Sequence, residues 1–184
     1  LEMSEYLKAP SPMAFVRVLS GRDRAGRTDA VKDALDAASI TYMEEPFVYR
    51  SFEGRNIVAD VGRGERLLII AAHTDPVPDT PAANDNASCV AAALSALQSL
   101  KAQPPQNLRV RFLFSDGEEY GLLGATKVLA MELAPRVRVC GIAPGITLPS
   151  TNQSEQGFQT AHALNPLGQG STLEQLVAAL RFIL

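Results

Sequence analysis

Residues 67–72 read Leu-Leu-Ile-Ile-Ala-Ala, six apolar residues in a row with no polar alternation. So short and so apolar a run suits a strand buried on both faces, inside a sheet that helices cover. Around it the chain alternates strand and helix signals. Residues 28–40 place Val31, Leu35 and Ala38 on one helical face. Residues 47–52 are short and β-prone, which predicts an outer strand. Residues 56–61 (NIVADV) form another strand and reach the central run through a Gly62-Arg63-Gly64 turn.

Asp85 or Asn86 is expected to cap a helix over 87–100, and Pro104-Pro105 breaks the chain after it. Residues 108–114 (LRVRFLF) are the next strand, followed by a helix over 121–133 and a strand over 137–142. Residues 146–170 read as irregular. Ser171-Thr172-Leu173-Glu174 is expected to be a capping box opening a last helix to residue 184. The alternation predicts an α/β fold: three layers, a mostly parallel sheet with helices on both faces.

Several classes are excluded early. No apolar run approaches the ~18 residues a membrane-spanning helix needs. A net charge of −3, from 17 basic and 20 acidic side chains, offers no electrostatic footing for nucleic acid. Two cysteines, Cys89 and Cys140, are too few for a disulfide scaffold; the sequence leaves one bridge between them open, and two buried thiols are expected. No signal peptide is seen, so the default expectation is a soluble cytoplasmic protein. Leu1-Glu2-Met3 is expected to be a remnant ahead of a start methionine.

Three polar clusters fall just past strand ends or at a helix start: His73-Thr74-Asp75, Asn84-Asp85-Asn86 and Asp116-Gly117-Glu118-Glu119. In an open α/β sheet, ligands bind beyond the carboxyl ends of strands, so these clusters can converge. One imidazole with several carboxylates is a donor set suited to zinc. Each cluster alone also has a plain reading, as a solvated turn, a helix cap or a hydrogen-bonded pair.

Together, AAHTD, AANDNAS and FLFSDGEEYGLLG resemble the co-catalytic zinc aminopeptidases, over about residues 22–125. The resemblance implies zinc-dependent hydrolysis of a peptide or aminoacyl amide. It implies that His73 binds zinc, that Asp75 supports His73, that Asp85 bridges two zincs and that Glu119 ligates the second. Glu118 would be the general base. The family draws two further ligands from downstream, an Asp and a His. Here no Asp follows Asp116, and the remaining histidine, His162, lies in a segment unlike the family's motif. One or two zinc ions, or none, are therefore compatible with the residues, and impaired activity is expected. Cys89 stands where that family usually has Gly.

Residues from about 127 to 184, with VRVCGIAPG and NPLGQGSTLEQ, resemble the C-terminal part of short-chain dehydrogenase/reductases close to the pteridine reductases. Cys140 stands where that family usually has Asn. The pair of resemblances implies a single hybrid domain over 1–184, joined within the 121–133 helix. It also implies an alternative to the hydrolase, a non-catalytic scaffold with relic peptidase residues. A reductase is disfavoured, because no Gly-rich dinucleotide fingerprint and no Tyr-x-x-x-Lys pair is present. The peptidase sheet ordinarily has more strands, so an exposed edge is expected to favour a homodimer.

Overall fold

The computed structural model describes residues 11–49, 51–120, 138–140, 147–149, 153–164 and 169–183. The chain opens with helix α1 (Pro12–Leu19), where Ser11 Oγ accepts from the Ala14 N–H and Pro12 occupies the first turn. Proline is favoured there because that turn has no intrahelical acceptor for its missing N–H. Helix α2 (Arg24–Ala37) follows, capped by Asp23, which accepts from the Gly26 N–H at 2.8 Å. It starts four residues before the expected 28–40 span and stops at Ala37, beyond which Ser39 turns to φ +52°.

Strands β1 (Tyr42–Tyr49) and β2 (Phe52–Arg63) form an antiparallel hairpin, with Tyr49 opposite Phe52. The strand expected over 47–52 is therefore the end of that hairpin, and β1 begins at Tyr42. Gly62 follows at φ +84°, and a Cβ there would lie 2.4 Å from the Leu108 carbonyl oxygen, so only glycine lets β2 pass so close.

Strand β3 (Arg66–His73) leads into a π-helical turn at Ala83–Ala87 and then helix α3 (Ser88–Ala102). Neither Asp85 nor Asn86 caps α3. The cap position is Ala87, with no side-chain bond, and Asp85 is extended at φ −116°, ψ 97°. Strand β4 (Leu108–Ser115), the short β5 (Arg138–Cys140), α4 (Glu155–Ala163) and α5 (Leu173–Ile183) complete the described elements. The expected helix over 121–133 lies outside the described residues.

The fold class is α/β, as expected. The sheet order is β1-β2-β4-β3-β5. β3 is parallel to β4 and β5, while β2 joins β1 and β4 antiparallel. The hairpin thus adds an antiparallel wing to the parallel part that carries the polar clusters. β3 has a strand on each side, and alternation sends its apolar run to both faces. Leu68 and Ile70 join the main core with Phe112, Leu94 and Leu97, whereas Ile69 packs with Val58 and Leu113 on the opposite face.

Two local features differ from the sequence reading. Residues 153–164 hold α4, capped by Ser154, which accepts from the Gly157 N–H at 3.1 Å. Its apolar residues are too few and its buried residues none, so it left no periodic signal. The capping box of α5 is shifted by one residue. Thr172 Oγ1 accepts from the Gln175 N–H at 3.2 Å, and Gln175 Oε1 accepts from the Thr172 N–H at 2.9 Å. That shift points Leu173, Leu176 and Leu180 into the core.

Cys89 is a buried thiol on α3, outside any disulfide, beside a cavity of about 20 Å³ under Leu176 and Leu180. Burial, then the negative charge of Asp85, pushes its pKa up to about 12. The thiol therefore stays protonated in the native state. In a Cys140→Ser background, Ellman's reagent at pH 8 should label Cys89 only at the rate of unfolding. The native state holds its proton more tightly than the unfolded chain, so this group's contribution to stability is full below pH ~9 and declines towards pH ~12. Rapid native labelling at pH 8 contradicts this.

Candidate metal centre

The three polar clusters meet at the carboxyl ends of β3 and β4. Thr74 ties those ends together. Its N–H and Oγ1 both donate to the Ser115 carbonyl, at 2.7 and 3.0 Å. Past this knot β3 delivers His73 and Asp75, and β4 delivers the 116–119 turn.

Asp75 is fully buried. Its carboxylate accepts from the Glu118 N–H at 3.1 Å and the Glu119 N–H at 2.8 Å. Burial pushes its carboxyl up, but His73 and those two N–H groups bring it below the ordinary carboxylate range. Asp75 therefore holds the backbone of both glutamates. It was expected to accept the imidazole N–H, and the geometry divides that role. His73 Nδ1 lies 3.2 Å from the Asp75 backbone carbonyl and 3.6 Å from its carboxylate. The closer carbonyl takes the hydrogen bond and the carboxylate contributes charge. With Nδ1 engaged, Nε2 faces the other carboxylates, 3.1 Å from Asp85 Oδ1 and 4.0 Å from Glu118 Oε2.

His73, Glu118 and Glu119 each offer one donor atom, all within 4.8 Å of one another. The turn thus converges its two glutamates on His73. Gly117, at φ +85°, reverses the chain just ahead of them. Asp85 Oδ1 lies 3.1 Å from His73 Nε2, and its side chain is 71% exposed. Burial lowers the His73 pKa, but Asp75, Glu118 and Asp85 outweigh it and hold it above the ordinary value. Glu119 is shifted up, first by burial and then by Asp85, with His73 opposing.

The fit of this site to a cation rests on Glu119. Its Oε1 is buried and accepts no hydrogen bond, a costly state for a carboxylate oxygen that no donor answers. One imidazole nitrogen and carboxylate oxygens crowded around it are what a divalent metal takes as ligands. The residues present fit the group. Among the described residues, His162 does not join this group. Its Nδ1 accepts from the Gly170 N–H at 3.2 Å and its ring lies 4.3 Å from that of Phe158. Glu155 pairs within α4 with Gln159, and the Cys140 side chain lies outside what is described.

Asp116, in the same cluster by sequence, does a different job. It is buried and binds Arg24 through two contacts of 2.7 Å. It also accepts from the Arg55 N–H at 2.9 Å, while its own N–H donates to Asn56 Oδ1 at 3.1 Å. These bonds clamp the glutamate turn to β2 and to the start of α2.

Arg24 and Arg27 were not singled out from sequence. Arg27 is fully buried and donates to the carbonyls of Pro81 at 2.9 Å, Ala82 at 2.8 Å and Thr74 at 3.4 Å. It thereby fastens the loop between His73 and Asp85. A signal existed: two arginines in the opening turns of a helix oppose its dipole, which is unfavourable unless they bind elsewhere. Starting the helix at Thr28 hid both.

The sheet thus brings one imidazole and several carboxylates together past the ends of two parallel strands. The chain belongs to peptidase family M28, whose family model matches residues 56–164. It is 40% identical over 78 residues to the probable lipoprotein aminopeptidase LpqL of Mycobacterium tuberculosis, covering 41% of this chain and 16% of that protein. It is 35% identical over 127 residues to leupeptin-inactivating enzyme 1 of Streptomyces exfoliatus, covering 62% of this chain and 28% of the enzyme. The chain thus spans less than a third of either relative's length. The fold is similar to that of Macrostomum lignano glutaminyl cyclase, with a TM-score of 0.57 at 18% identity over 85% of this chain and 59% of that one. The LapA aminopeptidase of Legionella pneumophila gives 0.58 at 16% identity over 75% and 43%. The family match runs past residue 127, where the reductase resemblance begins. No helix among the described residues is long and apolar enough to cross a membrane.

Proposed function

We propose that this chain is a zinc-dependent peptidase-like hydrolase acting on a peptide or aminoacyl amide. The observation that carries the reading is the convergence of His73, Glu118 and Glu119 within 4.8 Å. His73 and Glu119 would hold the metal, with Asp85 beside His73 Nε2 as a third donor. The buried, unanswered Glu119 Oε1 supports its role as a ligand. A bound zinc supplies Lewis acidity to a carbonyl and acidifies water.

Glu118 is the general base. Its side chain is 31% exposed and lies 4.0 Å from His73 Nε2. It accepts the proton of the attacking water and hands it to the departing amine. Asp75 keeps that carboxylate in place by holding the Glu118 N–H, and the Asp75 carbonyl keeps His73 Nε2 turned towards the metal side. Metal-ligating histidines commonly depend on such a partner.

The alternative is a scaffold whose peptidase residues are relics. That reading in its hybrid form needs a join within 121–133, which the family match to residue 164 spans.

Zinc content after dialysis, thermal melting with and without zinc, and release of p-nitroaniline from leucine p-nitroanilide test the choice. Zinc at 100 times its Kd should stabilise the native chain by about 2.7 kcal/mol. Glu118→Gln should keep zinc and lose about 10²- to 10⁴-fold in turnover. A chain that takes up no zinc and melts at one temperature in zinc or chelator overturns the hydrolase and leaves the scaffold.

A further inference from the structure

The loop over 74–82 joins His73 to the turn that carries Asp85, and one side chain grips both its ends. Arg27 donates to the Thr74 carbonyl at 3.4 Å where the loop starts, and to the Pro81 and Ala82 carbonyls at 2.9 and 2.8 Å where it finishes. The Ala82 carbonyl also accepts from the Ala87 N–H at 3.2 Å. That bond closes the Ala83–Ala87 turn, in which Asp85 stands. A single carbonyl thus ties the buried guanidinium to the backbone that presents Asp85.

This backbone needs holding. Ala82 lies in the left-handed region at φ +41°, ψ 43°, and Asp79 at φ +59°. A residue with a Cβ adopts that region at a cost, which its surroundings must meet. The Asp85 side chain is 71% exposed, so its place beside His73 is set by the backbone beneath it rather than by packing.

Arg27 is itself an expensive way to fill the interior. It has no exposure, its hydrogen-bond acceptors are neutral carbonyls, and its Nε–H finds no acceptor. A buried charge so answered is costly. The negative charges that favour it are those of Asp75 and Asp85. It also lies outside residues 56–164, which the family match covers.

Two effects of opposite sign follow for a metal. As a cation, Arg27 repels an incoming divalent ion. As a clamp, it keeps Asp85 Oδ1 3.1 Å from His73 Nε2. The guanidinium spends its bonds on carbonyls, so its charge reaches the site only from behind the loop. Coordination, in contrast, tolerates a displacement of only about 0.2 Å in a donor. The clamp outweighs the charge.

We propose that Arg27 is a positioning residue of the metal centre, which fixes Asp85 beside His73 by gripping both ends of the 74–82 loop and so raises the affinity for a divalent metal. This rests on the zinc reading of the site and does not require hydrolysis.

Zinc affinity of the full chain, measured against a competing chelator, tests it. Arg27→Met should raise the Kd about 10-fold or more, the scale of losing a ligand's supporting partner. Arg27→Lys should restore part of the loss. Val31→Ala trims a fully buried residue of the same helix and should leave the Kd within twofold. Cobalt(II) reports donor geometry through its visible bands. At saturating cobalt Arg27→Met should shift those bands, whereas Val31→Ala should not. Urea midpoints check that each variant is folded, and Arg27→Lys decides alone where Arg27→Met does not fold. Zinc bound by the Arg27 variants as tightly as by the wild type, or more tightly, overturns the proposal. So does a Val31→Ala loss equal to that of Arg27→Met, which would make the effect one of stability alone. Arg27-dependent zinc binding without release of p-nitroaniline upholds the clamp and counts against the hydrolase. Zinc-dependent hydrolysis with an unchanged Kd in Arg27→Met upholds the hydrolase and overturns the clamp. A wild-type chain that takes up neither zinc nor cobalt overturns both.

Discussion

Arg27→Met is expected to lower the stability of the native chain by about 1–3 kcal/mol, the cost of leaving a buried acceptor without its donor. Arg27 is fully enclosed, and its guanidinium is shared among the carbonyls of Thr74, Pro81 and Ala82. Methionine fills most of the volume and supplies no donor. The Thr74 carbonyl would then sit buried without a donor, a desolvation cost of about 1–3 kcal/mol before relaxation, while the Pro81 and Ala82 carbonyls keep the Gly21 and Ala87 N–H groups. Burial lowers the Arg27 pKa while the charges of Asp75 and Asp85 oppose that fall, so the cation also balances the carboxylates it lies behind. Arg27→Lys should recover only part of the loss, because a single ammonium cannot span the fork that reaches Pro81 and Ala82. Urea denaturation reads the effect as a lower midpoint at constant slope. A loss below about 1 kcal/mol would mean that water replaces the guanidinium and that the loop does not depend on it.

Asp75→Ala should damage both stability and the metal site. The carboxylate holds the Glu118 and Glu119 N–H groups at 3.1 and 2.8 Å with no exposure to solvent. Removing it orphans two half-buried donors, for a loss of about 2–4 kcal/mol. It also frees the turn that brings both glutamates to His73, so zinc affinity measured against a competing chelator should fall about 10- to 100-fold, the usual effect of removing a ligand's supporting partner. Asp75→Asn keeps the shape but leaves one acceptor oxygen for two N–H groups, and should fall between. Unchanged zinc affinity in a folded Asp75→Ala protein would place the support of the site elsewhere, with Asp116 the first alternative.

Local pattern made much of the framework legible. The uninterrupted run at 67–72 marked a strand flanked on both sides, because only a central position can bury two successive faces, and β3 lies between β4 and β5. Helix α3 was readable from its apolar length and the prolines after it. Helix α4 was not, since it buries nothing and carries no periodic stripe. The start of α2 was lost because its first residues are chosen for distant partners, Asp116 and the 74–82 loop, rather than for helix propensity.

The candidate site divides the same way. Donor chemistry is local, so His73, Asp75, Asp85, Glu118 and Glu119 stood out as residue types at strand ends. What each does depends on which neighbours lie within about 3 Å, and that is not local. Only the folded chain directs the Asp75 carboxylate to two backbone N–H groups, turns Glu118 and Glu119 onto one imidazole, withdraws Asp116 to Arg24 and sets Tyr120 at the end of an aromatic row. Periodicity and donor type are written along the chain because they act between near neighbours or against water. Partnership across 40 to 90 residues is decided by the packing of the sheet, where one misplaced ångström makes or unmakes a hydrogen bond.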